Sequence, residues 1–173
     1  MAVAFIALGS NLSDRVAMLA AALAELSLDA RVCLRVVSHV YGSEPWGVAD
    51  QPSFANAAVA LEFAGGPEDL LQLCRAVERR LGRAEGPRNG PRSIDLDILL
   101  FDSLVIDTPQ LTLPHPRMRD RDFVVTPLLE IEPTLMMPDG RKLESSEATS
   151  GRITGVLGVI PGLDSLTPDA PRL

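Results

Sequence analysis

Ile94-Asp95-Leu96-Asp97-Ile98-Leu99-Leu100 alternates apolar residues with two carboxylates before turning wholly apolar, and a period of two marks a strand. Successive strand side chains point to opposite faces, so Asp95 and Asp97 emerge together on one side. At about 3.4 Å rise per residue their stems start about 7 Å apart, close enough for the carboxylates to converge. With no cation interleaved they repel unless something positive sits between them. Just upstream, Arg88 and Arg92 bracket a Gly90-Pro91 turn, which suits an arginine clamp on phosphates. Magnesium takes oxygen ligands, commonly one or two carboxylates plus substrate phosphates. An Arg-bearing loop running into paired carboxylates therefore predicts a metal–nucleotide site.

Working back from that strand, Val3 to Leu8 is a continuous apolar run, as in a central strand. Gly9-Ser10-Asn11 turns the chain, and Ser13 or Asp14 can cap a helix carrying Val16, Leu19, Leu23 and Leu26 to about Ser27. Val32 to Tyr41 reads as a second strand. Gly42 to Pro52 is a turn-rich loop that carries the only Trp, Trp46. Phe54 to Phe63 resumes strand character, interrupted by Asn56. Pro67, Glu68 and Asp69 start a helix whose buried stripe is Leu70, Cys74, Val77 and Leu81, and Gly82 stops it. The order strand, helix, strand, strand, helix, strand is the ferredoxin-like, split βαβ pattern. The expected fold is α+β, an antiparallel sheet with helices on one face, long active-site loops, and the other face left for a ligand.

Beyond it, Leu104 to Ile106 and Leu111 to Leu113 read as short extended segments, and Pro114-His115-Pro116 as an extended corner. Thr126-Pro127 is expected to open a short helix, and Pro138-Asp139-Gly140 a hairpin turn. Residues 1–143 form the expected domain. Residues 144–173, where Ser, Thr, Gly, Pro and Asp dominate, are expected to be a weakly ordered, non-catalytic tail of the same domain.

A chain of 173 residues fits one domain able to bury roughly 70% of its unfolded surface. No apolar run approaches a membrane span, and no signal peptide is evident, so a cytoplasmic protein is expected. Cys33 and Cys74 have neither disulfide-framework nor metal spacing, and are expected to be buried free thiols. The net charge of −7 argues against general nucleic-acid affinity. The stretch from Arg75 to Arg121 nevertheless holds nine of the 16 basic residues and only seven of the 23 acidic ones. An acidic chain with a basic middle suits a small anionic ligand.

The assembled set resembles the 6-hydroxymethyl-7,8-dihydropterin pyrophosphokinase family of folate biosynthesis. The resemblance rests on Gly9-Ser10-Asn11, Asp50-Gln51-Pro52 with Phe54 and Asn56, Gly82-Arg83, Gly90-Pro91-Arg92, Asp95-Leu96-Asp97, and Leu113-Pro114-His115-Pro116 with Arg121 and Phe123. It implies transfer of the β,γ-diphosphate of ATP to the pterin hydroxymethyl group, releasing AMP. By resemblance Asp95 and Asp97 hold two Mg²⁺ ions, and Arg83 and Arg92 contact the triphosphate as their loop closes. His115 and Arg121 match ATP-phosphate contacts, and Glu78, Ile98 and Thr112 the nucleoside contacts. Phe54 and Phe123 match the aromatic pair that sandwiches the pterin, Asn56 reads its amide-like edge, and Ser43 and Trp46 line that pocket. Asn89 departs from the family, many of whose members carry Trp there. ATP and the pterin are the expected partners, with no nucleic acid, no membrane and a monomeric chain. A non-catalytic ferredoxin-like sensor is the competing reading, but it has no use for Asp95 and Asp97 aligned with Arg83 and Arg92. A metal-dependent nuclease would want a more basic surface.

Overall fold

Eight strands and three α-helices follow one another along the computed structural model, which describes residues 1–45, 51–83, 92–144, 150–169 and 171. In chain order they are β1 (Ala2–Ser10), α1 (Arg15–Ser27), β2 (Val32–Val37), β3 (Val40–Ser43), β4 (Phe54–Phe63), α2 (Pro67–Arg80), β5 (Asp95–Phe101), β6 (Ile106–Asp107), β7 (Thr112–Leu113), α3 (Asp122–Ile131) and β8 (Ile153–Gly158). β1 lies between β5 and β4, both antiparallel to it. β4 is long enough to pair with both β2 and β3 along its other edge, and β8 adds beyond β3. This is the ferredoxin-like arrangement expected from the sequence, extended by one strand.

The single strand expected over Val32 to Tyr41 is two. At the break, Ser38 donates its N–H to the Ala58 carbonyl, and its hydroxyl accepts from the Ala58 N–H, both at 2.9 Å. The next N–H, of His39, turns away to the Glu130 carboxylate at 3.2 Å. A side chain thus takes over the ladder where the backbone leaves it.

α1 and α2 cover one face of the sheet. Asp14 caps α1 by accepting from the Ala17 N–H at 3.1 Å, and Pro67 opens α2. Ala4, Ile6, Leu8 and Leu96 point down from the sheet onto Leu19, Leu23, Leu70 and Cys74, forming the main core. The expected stripe holds except at its end, where Glu78 is buried and Leu81 only partly so. Cys74 is buried as expected, but Cys33 is exposed.

The opposite face is only half open. α3 packs over it, and Val124, Val125, Leu128 and Leu129 meet Ala58 and Leu99 in a second core. The helix starts at Asp122 rather than at Thr126-Pro127, so Pro127 lies inside it. Pro127 removes one backbone donor, but the apolar burial around it outweighs that loss. Glu130 fastens α3 to β3, accepting from Tyr41 Oη and contacting His39 Nδ1, each at 2.7 Å. Among the described residues no helix is long and apolar enough to cross a membrane.

The tail differs from its expectation. Ile153–Gly158 is a strand on β3, Ile160 is fully buried in the main core, and Asp164–Leu166 forms a 3-10 turn packed against it. Its Gly- and Ser-rich composition hides this, because β8 is stabilised by a partner more than a hundred residues away rather than by its own apolar content.

Candidate active site

The register of the sheet sets the floor of the site. Gly9 on β1 faces Asp95 of β5 on one side and Asn56 of β4 on the other, and Asn56 in turn faces Tyr41 of β3. One step along, Ala7 faces Asp97 and Ala58. Residues two apart share a face, so Asp95, Asp97, Phe54 and Asn56 all look toward the side opposite α1 and α2. The central strand contributes only Gly9 and Ala7 there. A trough therefore opens between an acidic wall on β5 and a polar, aromatic wall on β4 and β3.

α3 closes one end of the trough. The resulting cleft has about 160 Å³ of solvent-accessible space and is lined by Ser43, Phe54, Asn56, Arg92, Asp95, Asp97, His115, Arg121 and Phe123 among others. Nine residues singled out from the sequence thus meet in one cavity. Asn56 is buried, donating from Nδ2 to Ser43 Oγ at 2.9 Å and to the Tyr41 carbonyl at 3.3 Å. Its amide is held in one orientation, with Oδ1 beside the bare Cα of Gly9.

On the acidic wall, Asp95 is gripped by two guanidinium groups: Arg83 Nη1 lies 2.8 Å from Oδ1 and Arg92 Nη1 2.5 Å from Oδ2. Asp97 is less well compensated, with Arg121 Nη1 at 3.6 Å and His115 Nε2 at 4.0 Å. Burial, then the neighbouring charge of Asp95, push its carboxyl up to about 6 despite Arg121, Arg92 and Arg83. Burial and the nearby Arg121 and Arg117 pull the His115 imidazole down to about 4, so at neutral pH it is uncharged. The Arg117 N–H donates to His115 Nδ1 at 3.3 Å, which leaves the proton on Nε2, facing Asp97. Arg121 loses some of its ordinary basicity to burial.

This wall fits a hard cation. Its donors are two carboxylates on one strand face, Asp97 only loosely met by Arg121 and Asp95 already paired with two guanidinium groups. No cluster of three or more His, Cys, Asp or Glu side chains suited to a metal occurs among the described residues. Two carboxylates with substrate phosphates completing the shell is the usual magnesium arrangement.

Glu78, Ile98 and Thr112, expected at the nucleoside, are not among the residues that line this cleft. Glu78 is buried beneath β5, where Oε1 accepts the Leu96 N–H at 2.8 Å and also pairs with Arg83 Nη1. It thereby satisfies an edge N–H lying between the two aspartates, although burial raises its pKa. The Ile98 side chain points into the main core, because it alternates with Asp97. Thr112 sits on β7, paired with Asp107. Trp46, and all but Arg83 of the loop 83–91 expected to close on the triphosphate, lie outside the described residues.

Sequence reasoning missed Ala7, Glu44 and Arg117 as lining residues, and it left the part played by Asn11 open. Asn11 is almost fully buried, accepts the Arg92 N–H at 2.8 Å through Oδ1, and donates through Nδ2 to Gln51 Oε1 at 3.1 Å and the Pro52 carbonyl at 3.3 Å. The end of β1 thus pins the last residue of one loop to the last residues of the other. An asparagine directly after a strand-ending Gly-Ser was the available signal.

A ferredoxin-like sheet whose open face sets paired carboxylates among arginines, opposite an aromatic and amide wall, has the parts that a metal-assisted phosphoryl-type transferase needs. The family model described as 7,8-dihydro-6-hydroxymethylpterin-pyrophosphokinase (HPPK) matches residues 5–133, and the chain belongs to that family. It is 47% identical over 129 residues to the 2-amino-4-hydroxy-6-hydroxymethyldihydropteridine pyrophosphokinase of Bacillus subtilis, covering 75% of this chain and 77% of that one. The enzyme of the same name from Pseudomonas aeruginosa is 44% identical over 139 residues, covering 80% and 86%. Among solved structures, an HPPK-DHPS in complex with substrates shares the fold at a TM-score of 0.59 and 13% identity. That match covers 85% of this chain and 42% of the longer one.

Proposed function

We propose that the cleft binds 6-hydroxymethyl-7,8-dihydropterin between Phe54 and Phe123 and the ATP triphosphate along Asp95 and Asp97. Pyrophosphokinase activity in folate biosynthesis is the activity of the family. The pterin hydroxymethyl oxygen forms a bond to the β-phosphorus, the bond from that phosphorus to the α,β-bridging oxygen breaks, and AMP leaves as the hydroxyl proton is lost. The observation that carries this reading is the single row Asp95, Gly9, Asn56 across three strands, which sets the acidic wall and the oriented amide on opposite sides of an open floor.

Two rings flanking a flat heterocycle match its preference for offset stacking. The Asn56 amide, clamped by Ser43 and Tyr41, presents its remaining capacity to the edge of the heterocycle. Asp95 and Asp97 would hold two Mg²⁺ ions, which would supply charge neutralisation on the attacking and leaving oxygens. Arg83 and Arg92 release Asp95 and turn to the phosphates, and Arg121 with neutral His115 steadies the same anion. Positioning and charge neutralisation are what such a transfer needs, so no side-chain nucleophile is required. A monomer working in the cytoplasm fits this reading, with residues 1–143 as the catalytic part.

Incubation with MgATP and the hydroxymethyl dihydropterin tests it. AMP and pterin diphosphate should appear in equal amounts, and Asp95→Ala or Asp97→Ala should abolish both while each variant still folds. Formation of ADP, or normal turnover by either variant, refutes the assignment.

A further inference from the structure

We propose that Gly151, outside the residues matched by the family model, is a positioning residue that fixes the ring of Phe123 from the C-terminal segment. The proposal rests on the reading of Phe123 as a pterin-stacking ring. Gly151 has φ +73°, and a Cβ added there would lie 2.1 Å from Phe123 Cδ1 and 2.3 Å from Cε1. A side chain there would be strained by the backbone conformation and could be accommodated only by displacing the ring. Gly151 is therefore in contact with one edge of that ring.

The contact is not free to slacken, because the chain on each side of Gly151 is tied to the chain around Phe123. Ser150 Oγ donates to the Asp120 carbonyl at 2.6 Å, and the Asp122 N–H donates to the Ser150 carbonyl at 3.3 Å. The Ile153 N–H donates to Asp122 Oδ2 at 3.4 Å, and the Glu44 N–H to the Arg152 carbonyl at 3.0 Å. The Arg121 guanidinium lies 5.6 Å from the centre of the same ring. Gly151 and Arg121 between them limit where the ring can go, so Gly151 acts on one wall of the cleft through Phe123. β8 extends that link to β3, which carries Ser43.

The test compares Gly151→Ala with Gly155→Ala, a control on β8 that also has positive φ but open space around the added methyl. Gly151→Ala should raise KM for the pterin by at least about tenfold, leave KM for ATP unchanged, and shift the ring resonances of selectively labelled Phe123. The control should do none of these. In a Phe123→Ala background Gly151→Ala should add nothing further to the pterin KM. Unchanged ring resonances in Gly151→Ala, or additive losses in the double variant, overturn the proposal. Should Gly151→Ala not fold, Ser150→Ala removes one tether without adding bulk and must raise the pterin KM alone; no change there also overturns it. If Phe123→Ala itself spares the pterin KM, the stacking reading fails separately, and the ring resonances still decide whether Gly151 holds the ring.

Discussion

At the scale of the residue, the site is built from groups that are poorly satisfied where the chemistry needs them. Asp95 has two cations, whereas Asp97 has burial and a like-charged neighbour, and its carboxyl is raised to about 6 from an ordinary 3.8. The folded protein holds this proton more tightly than the unfolded chain, so stability is lost as the pH rises from 3.8 to about 6, and the full cost stands above that. Asp97→Asn should therefore raise the Tm of the ligand-free protein at pH 8. The gain should fade as the pH falls through 6 towards 4 in a series of thermal melts. A gain independent of pH would place the effect elsewhere. Glu78 does the opposite work, since its carboxylate satisfies the Leu96 N–H and holds Arg83. Glu78→Ala takes the acceptor away from the buried Leu96 N–H, so it should cost about 1–3 kcal/mol in urea unfolding. It should also leave Arg83 held by Asp95 without Glu78.

At the scale of the element, what was legible in the sequence was whatever a local pattern can encode. The period-two run at Asp95 and Asp97 and the cap-and-stop signals of α1 and α2 needed no partner to be read. The halves of β2 and β3 were run together because the break is made by Ser38 bonding to Ala58 and His39 bonding to Glu130, contacts that sequence periodicity does not carry. β8 escaped for the same reason: glycine at positive φ reads as loop until β3 supplies its hydrogen bonds. Of the site, the polar and aromatic residues were readable as chemistry, whereas the floor of Gly9 and Ala7 emerges only from register. The element most dependent on such a non-local contact is α3, which Glu130 anchors through Tyr41 and His39. Glu130→Ala removes the acceptor that the Tyr41 hydroxyl and the His39 N–H share, and should cost about 1–3 kcal/mol in urea unfolding. A loss under 1 kcal/mol would mean that apolar packing alone seats the helix.

At the scale of the whole molecule, two cores on opposite faces of one sheet raise the question of whether they melt together. Ile160 brings the C-terminal segment across to the main core, α3 builds the second core on the back of Ala58, and both cores share the strands β1, β4 and β5. A shared sheet couples them, because neither side can open without exposing apolar residues of the same strands. The two cysteines report on this. Cys33 is exposed, whereas Cys74 is fully buried in the main core, and burial pushes its thiol up to about 12, so it is doubly protected from electrophiles. Native protein treated with a thiol reagent should gain one adduct rapidly and the second only through opening of the main core. Across a urea series, labelling of Cys74 should then track the same midpoint as near-ultraviolet signals from the α3 side, as a single cooperative unit requires. If Cys74 labels well before the other signals change, the helical face opens on its own. The sheet would then be carrying two independent units rather than holding one together.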